Sequence, residues 1–518
     1  MFALALSLGA FSYLIFFLGI FGLLYKPLLI PVTLLGIGGL IVLLFAKYKK
    51  GITLPSRPMG KVFLALLLLQ VGINIIGMLG PELGFDALWY HGTLPKIYLA
   101  NHQILHIPNG LFYYSDMPKL VEMLYTAILS LGSDLGPKLV HFGLGLACCG
   151  ALFIFSRKFF SNTLSLAVVL IFYTNLVVGW ESISGYIDLG RTFFEILAIW
   201  AFVEWTDTRE TFWLCISAIM AGFAITSKLL AFGTLGIFLV LIIVTHFLSK
   251  RSFVETCKHV MLFTLLSVSI PLPWLIFSFV HTGNPVYPFF SPAYPISPAG
   301  SLISFHLFSD LWNLFTASAD PISPVYLAFL PLILRSFKKT SFSMKLIYLY
   351  SFLALIVWYV TPRTGGGRFI LPYLPAFSVL AIFPLQFVEK KITAFFYSFI
   401  VIVSVISILY RAGANAKFIP VILGQETTGQ FLTTHLHFSF GDFYDTDGFF
   451  AHHVKTDDLV LVDGFHNLYY AHFPYTFDAN NKQITYLAVQ GRNLLPKQFA
   501  NWKLIHTNQL THVFVYEK

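Results

Sequence analysis

The sequence predicts an all-α polytopic membrane protein with about 13 transmembrane helices and a small C-terminal α/β domain outside the cytoplasm. Three observations carry that expectation: the composition, a run of apolar segments of spanning length, and the side on which the basic residues fall. Of 518 residues, 57% are hydrophobic, 17% aromatic and only 11% charged, with a mean hydropathy of +0.76. A soluble domain carries about 25% charged and about 45–50% apolar residues. This chain cannot cover a water-facing surface of the usual kind, and its surplus apolar area needs lipid as solvent. A soluble multi-domain enzyme is excluded.

Apolar runs lie near 2–25, 28–46, 62–80, 136–156, 163–180, 191–205, 212–227, 229–247, 259–280, 325–335, 345–361, 369–388 and 392–410. The first has no basic n-region and no small-residue cleavage site, so it reads as a retained span rather than a signal peptide. The run at 325–335 is short against the roughly 20 residues a span requires, and its helix is expected to begin earlier. Thirteen spans put the termini on opposite sides. With the N-terminus inside, the inner loops hold 17 Lys and Arg, clustered as at Lys47, Lys49, Lys50 and at Arg335, Lys338, Lys339. The outer loops before the tail hold 8, spread over longer segments. The positive-inside rule then places the N-terminus in the cytoplasm and residues 411–518 outside, in a cell inner (plasma) membrane.

The net charge of +9, from 33 Lys and Arg against 24 Asp and Glu, is accounted for by these orienting clusters, and nucleic acid is not expected as a partner. Cys148, Cys149, Cys215 and Cys257 lie in or beside apolar spans without C-x-x-C or histidine spacing. They suggest neither a zinc site nor a disulfide framework.

Two outer loops are long, roughly 81–135 and 281–324. The first holds two amphipathic stretches, Leu88–Leu99 and Leu120–Leu131, expected to lie as helices at the membrane interface. The second is rich in Pro and Ser. After Arg411 come helix-like and strand-like pieces at Glu426–Leu436, Asp458–Val462, Ile484–Val489, Pro496–Thr507 and His512–Tyr516. That order suggests an α/β domain of about 100 residues. It lacks a Gly-rich loop after its first strand, so nucleotide binding is not supported. Asp442, Asp445, Asp447 and Gly448 begin like a calcium loop, but no Glu follows at the required place, and a solvated turn is the better reading. His452 and His453 read as surface residues. No cofactor is called for, and nothing supports a divalent metal.

Polar groups gathered at one membrane edge carry the functional signal. On the outer side stand Glu82, Asp86, Tyr90 and His91, then Glu181 and Asp188, then Lys228, then Arg363 and Arg368 flanking three glycines. Carboxylates, cations and aromatic rings on one face suit a lipid-linked phosphate substrate. A carboxylate would take a proton from an attacking hydroxyl, and cations would neutralise a phosphate leaving group. Each residue also has a plainer use. Asp86 could cap a helix starting at Ala87, and His91 could be a structural hydrogen-bonding residue. Asp188 could cap at Leu189 or pair with Arg191, and Glu195 would find its partner in Lys228. Arg363 and Arg368 could snorkel as interface anchors.

Gly84-Phe85-Asp86-Ala87-Leu88-Trp89-Tyr90-His91, with Leu94-Pro95-Lys96 and Tyr98, resembles the first outer loop of the family C membrane glycosyltransferases. The bacterial branch related to protein mannosyltransferases and aminoarabinose transferases is nearest. Tyr113-Tyr114-Ser115 with Pro118 and Glu122, Tyr186-Ile187-Asp188-Leu189 and Lys228 extend the resemblance. Gly283-Asn284-Pro285-Val286-Tyr287-Pro288 and Arg368-Phe369-Ile370-Leu371-Pro372 complete it, over roughly residues 60–390. It implies a helical enzyme that moves a hexosyl or pentosyl unit from a polyprenyl-phosphate carrier to an extracytoplasmic glycan, lipid or protein acceptor. Asp86 would be the catalytic base of an inverting transfer. Arg368, Arg363 and Lys228 would bind the phosphate, and Glu82, Tyr90, His91 and Asp188 would line the site. Relatives carry two adjacent acids in that loop, whereas here Glu82 stands four residues before Asp86.

Two other readings remain from the sequence. One is a transporter or flippase of a lipid-linked substrate, for which the internal repeats and broken mid-membrane helices of transporters are not evident. The other is a polymer ligase or polymerase using a lipid-diphosphate donor, which differs only in the donor.

Overall fold

The computed structural model describes residues 1–47, 55–107, 112–292, 306–317, 321–361, 366–491 and 497–518. Each of the 13 apolar runs is helical, although several are broken or short. Among the described residues, seven helices are long and apolar enough to cross a bilayer: Phe2–Ile20, Lys26–Leu43, Pro58–Leu79, Gly136–Ser156, Leu229–Leu248, Phe342–Val360 and Lys390–Ala416. An eighth crossing results if Phe253–Ser269 and Leu272–Thr282, bent by 63° at their junction, form one span. Pro271 and Pro273 explain that bend, because each removes a helical donor and crowds the preceding turn.

The remaining runs fall short of a full span for identifiable reasons. The run at 163–180 splits into Asn162–Tyr173 and Leu176–Glu181. At the break, Asn175 donates to the carbonyls of Ile171 and Phe172 and accepts the Ser323 amide at 2.7 Å. Its side chain thus supplies partners to backbone that the interrupted helix leaves open. The run at 325–335 is a helix of 12 residues, Val325–Ser336, and does not begin earlier as expected: it starts at the first residue of the apolar run, just after Pro324. Asp188–Thr208 is buried along almost its whole length and packs against Thr211–Ser227 and Gly136–Ser156. In its first turns Arg191 bonds Glu195 at 2.6 Å, and Thr234, Tyr350 and Tyr373 complete the hydrogen bonding.

The two stretches expected at the membrane interface behave differently. Leu120–Leu129 is enclosed on nearly every side, between Phe2–Ile20, Thr93–Asn101 and Gly136–Ser156. Its polar positions are not solvated: Glu122 and Thr126 are buried and hydrogen-bonded within the protein. The first stretch is a π-helical turn, Ala87–His91, running into a helix at Thr93–Asn101.

The C-terminal region folds around a five-stranded sheet of β1 (Val460–Asp463), β2 (Tyr475–Thr476), β3 (Tyr486–Gln490), β4 (Lys503–Asn508) and β5 (Val513–Glu517). The order is β2-β1-β3-β5-β4. β1 runs parallel to β2 and β3, whereas β5 is antiparallel to β3 and β4. The helix at Thr428–His435 opens with a reciprocal cap between Thr427 and Gln430. The stretch 496–507 gives a single 3₁₀ turn at Lys497–Phe499 and then β4. Asp442 is buried and accepts from the His437 amide and Asn467, while Asp447 bonds His506.

This region packs onto the first long loop. The Tyr470 hydroxyl accepts the Glu82 amide at 2.8 Å and donates to the Glu82 carbonyl at 3.0 Å. Lys96 donates to the Tyr469 carbonyl, lies 3.9 Å above the Tyr469 ring and pairs with Asp134. The loop is therefore held between the helical body and the sheet.

Candidate active site

The site is built where four chain segments meet. Asp86 arrives on the first loop, at the start of the π-helical turn. Single π-turns are rare and mark functional sites in many helices. Its backbone amide donates to the Tyr186 hydroxyl at 3.2 Å. Its side chain makes no helix-capping bond, so the capping use open to it in sequence is not taken. Instead Asp86 Oδ2 lies 2.6 Å from Arg368 Nη1 and receives the Tyr90 hydroxyl at 3.4 Å. Burial pushes the Asp86 carboxyl up, but the Arg368 charge with His91 outweighs it and holds the group below its ordinary range.

Arg368 follows Gly366-Gly367 in a 3₁₀ turn and is the hub of the cluster. Its Nε is 2.8 Å from Asp188 Oδ2 and 3.4 Å from Glu181 Oε1, and its guanidinium lies 4.2 Å above the Tyr186 ring. Asp188 begins its helix and shares its other oxygen with Lys228, at 2.6 Å. Lys228 ends the helix Thr211–Ser227 in extended backbone, and its Nζ is 5.3 Å from the Phe369 ring centre. Three carboxylates and two cations are thus gathered on side chains that are at most 18% exposed. The cost of burying charges is large unless they are paired. A buried cluster of this size in an apolar helical body marks the candidate site.

The partners differ from those the sequence suggested. Asp188 was open to Arg191, and Glu195 to Lys228; the structure exchanges them. Arg191 and Glu195 sit one turn apart on the same helix face, a spacing that lets them meet directly. That leaves Asp188 to the residues beyond the helix end.

Glu82 is occupied elsewhere. Its carboxylate accepts the Leu83 and Gly84 amides at 2.9 and 2.6 Å and the Gly185 amide at 2.5 Å. A Cβ at Gly84 would come within 2.9 Å of Glu82 Oε1, so a glycine there lets the backbone close on the acid. Glu82 ties the first loop to the segment carrying Tyr186 rather than facing the Asp86–Arg368 pair. His91 is buried beside Tyr90, with Nδ1 2.8 Å from Glu122 Oε1. Burial lowers its pKa in spite of the Glu122 carboxylate. Its Nε2 has no hydrogen-bond partner among the described residues. Arg363 lies outside the described residues. Glu181, which the sequence offered only as the opening of a loop, belongs to the cluster. An acid at the end of an apolar run was the signal that could have singled it out.

No protein-family model matches the sequence, and no curated protein sequence matches it either. Solved structures do match. ArnT from Cupriavidus metallidurans in the apo state superposes with a TM-score of 0.60 at 12% identity, over 88% of this chain and 96% of that one. The same protein bound to undecaprenyl phosphate gives 0.54 at 14% identity, over 88% and 97%. The apo oligosaccharyltransferase of Archaeoglobus fulgidus gives 0.50 at 14% identity, over 86% of this chain and 70% of that one. The chain has the fold of the family C membrane glycosyltransferases. The resemblance drawn from the first-loop and Arg368 segments thus agrees with a superposition that covers 88% of the chain. The fold brings Asp86, Asp188, Lys228 and Arg368 from segments that the threading assigned to one side, and a chain of ion pairs links them: Asp86 to Arg368, Arg368 to Asp188 and Asp188 to Lys228.

Proposed function

We propose that the protein is a multi-pass membrane glycosyltransferase that moves a sugar from a polyprenyl-phosphate carrier to a glycan, lipid or protein acceptor outside the cytoplasm. The observation that carries this reading is the buried Asp86–Arg368–Asp188–Lys228 cluster, in a fold shared with a protein solved with undecaprenyl phosphate bound. In the proposed step the acceptor hydroxyl attacks the anomeric carbon of the donor sugar. Its proton passes to Asp86 as the new carbon–oxygen bond forms. The bond to the phosphate oxygen breaks, and the polyprenyl phosphate leaves with the electron pair. Attack opposite the leaving group inverts the anomeric centre.

Arg368 and Lys228 answer the charge that grows on the departing phosphate. A guanidinium offers two parallel donors to a phosphate, and both cations work in a site largely closed to water, where such contacts count most. Arg368 already bridges Asp86 and Asp188, so the position between the two acids is filled by a guanidinium. We therefore assign no metal to the step. Glu82 is given a structural task, and Tyr90 orients Asp86. The N-terminus is assigned to the cytoplasm and the C-terminal sheet to the outer side of the inner membrane.

The test is donor turnover by the purified protein in nanodiscs, with a panel of polyprenyl-phosphate hexoses and pentoses. Release of polyprenyl phosphate from at least one member, lost in Asp86→Asn, supports the reading. A folded protein that cleaves none of them with any class of acceptor sinks it.

A further inference from the structure

Of the three carboxylates gathered around Arg368, Glu181 is the one that receives no hydrogen bond. Both of its oxygens are buried and have no hydrogen-bond partner among the described residues. Arg368 Nε is 3.4 Å from Glu181 Oε1, but its single hydrogen goes to Asp188 Oδ2 at 2.8 Å. His141, on the helix Gly136–Ser156, lies 3.8 Å from the other oxygen and has no hydrogen to offer it. His141 Nδ1 is 2.9 and 2.8 Å from the carbonyls of Glu181 and Ser184, which only accept, so the ring proton sits there. Its Nε2 accepts the Leu189 amide at 3.1 Å and therefore carries none. The imidazole is neutral.

The charges point the same way. Asp86, Asp188 and Glu181 stand against Arg368 and Lys228, an excess of one acid among the described residues. The other elements packed on Glu181 leave that excess in place. Lys138 is offset by Glu82, Arg411 passes against Gly179 and bonds Asn415, and Tyr125 and Tyr186 are neutral phenols. Like charges crowded into a dry site are relieved by a proton on one of them. Asp86 and Asp188 each hold a cation at 2.6 Å, so the proton falls to Glu181. Burial and the neighbouring Asp188 carboxylate push the Glu181 carboxyl well above its ordinary range.

We infer that the phosphate anion of the lipid-linked donor binds only while Glu181 holds a proton. The transferase reading supplies the identity of that anion, and the coupling itself depends on Glu181. With Glu181 neutral, two acids face two cations, and an arriving phosphate meets a balanced site. With Glu181 ionised, its carboxylate competes for the Arg368 charge and adds its own repulsion in a medium that screens poorly. The proton comes from water and returns there when the anion leaves; only the O–H bond of Glu181 is made and broken. Both Glu181 oxygens are enclosed, so the residue acts through Arg368 as a positioning residue.

The full chain in nanodiscs of neutral lipid is titrated calorimetrically with farnesyl methyl phosphate, a phosphodiester of fixed charge. The range runs from about pH 7 to about pH 9, above an ordinary histidine and below a tyrosine. A group that must be protonated in the complex contributes fully at low pH and is lost as pH rises. Affinity should therefore fall with rising pH by up to about tenfold per unit, with up to about one proton taken up per ligand. Buffers of different ionisation heat read that proton. Glu181→Gln, a neutral isostere, should keep the acid-end affinity throughout and take up none. Lys228 would give the same slope by losing its own proton, so Lys228→Arg separates the two. The slope persists there if Glu181 is its source, which keeps the test decisive if Glu181→Gln fails to fold. A slope that survives in Glu181→Gln, one that vanishes in Lys228→Arg, or an affinity independent of pH overturns the assignment. Equally strong displacement of the probe by a short-chain phosphatidylglycerol would overturn the donor as the ligand. A chain that binds with this coupling and cleaves no donor keeps the role of Glu181 and loses only the transferase reading.

Discussion

Replacing Asp86 by Asn separates catalysis from architecture, because the structure allows both effects to be sized. Asp86 accepts from Arg368 at 2.6 Å and from Tyr90 at 3.4 Å and caps no helix. An Asn carbonyl can still accept from Arg368, and Arg368 keeps Asp188 at 2.8 Å and Glu181 at 3.4 Å. No buried charge is orphaned, so the folding cost should be about 1–2 kcal/mol, a weakened charge-assisted bond. The rate is another matter, since an amide cannot take a proton at neutral pH. Loss of a general base costs roughly 10²–10⁴-fold, or about 3–5 kcal/mol of barrier. Asp86→Glu keeps a carboxylate but displaces it by about 1 Å, which alone can cost on the order of 10²-fold. The assay is polyprenyl phosphate release by purified variants, alongside thermal unfolding of each. An Asn variant that is folded and turns over at the unaltered rate would refute the base assignment and leave Asp188 and Glu181 as the carboxylates to test.

Arg368→Ala should weaken use of limiting donor by about 1.5–3 kcal/mol, and Arg368→Lys should recover only part, because lysine lacks the planar fork; normal turnover by the Ala variant would remove the phosphate role. The acid limb of turnover should lie below the ordinary carboxylate pKa of about 4, because Arg368 holds Asp86 ionised. In Arg368→Gln burial acts without that opposing charge, so the residual activity should lose its acid limb at higher pH; an unshifted limb would show that the two groups are not coupled. Glu82→Gln replaces one acceptor oxygen by a donor facing backbone amides from two segments. It should lower stability by about 3 kcal/mol, visible as a drop in Tm, while a normal Tm with a raised donor KM would return Glu82 to the binding site. A reporter fused after Lys518 should be active only outside the cytoplasm; activity inside reverses the assigned orientation.

Much of the molecule was legible in the sequence because membrane helices are specified locally. An apolar run needs no distant partner to become a helix in lipid, where each backbone group must bond within its own segment. Hence every apolar run is helical, and the bend at Pro271 follows from local chemistry as well. That Asp86, Asp188, Lys228 and Arg368 lie together agrees with a threading that put their loops on one side. Which runs are whole spans was less so: Asn175 breaks one helix only because Ser323 and Tyr326 come to meet it.

What only the tertiary structure decided is who pairs with whom. Asp188 meets Lys228, 40 positions on, and Arg368, 180 positions on, while Arg191 turns to Glu195 one turn away. Leu120–Leu129 has the amphipathic pattern of an interfacial helix, yet three neighbouring helices enclose it. Glu82 and Asp86 are two acids of one loop with opposite uses, because Gly185, 103 positions away, brings its amide to one and Arg368 its charge to the other. A carboxylate carries no local mark of which buried donor will reach it; burial makes pairing obligatory, and long-range packing chooses the partner.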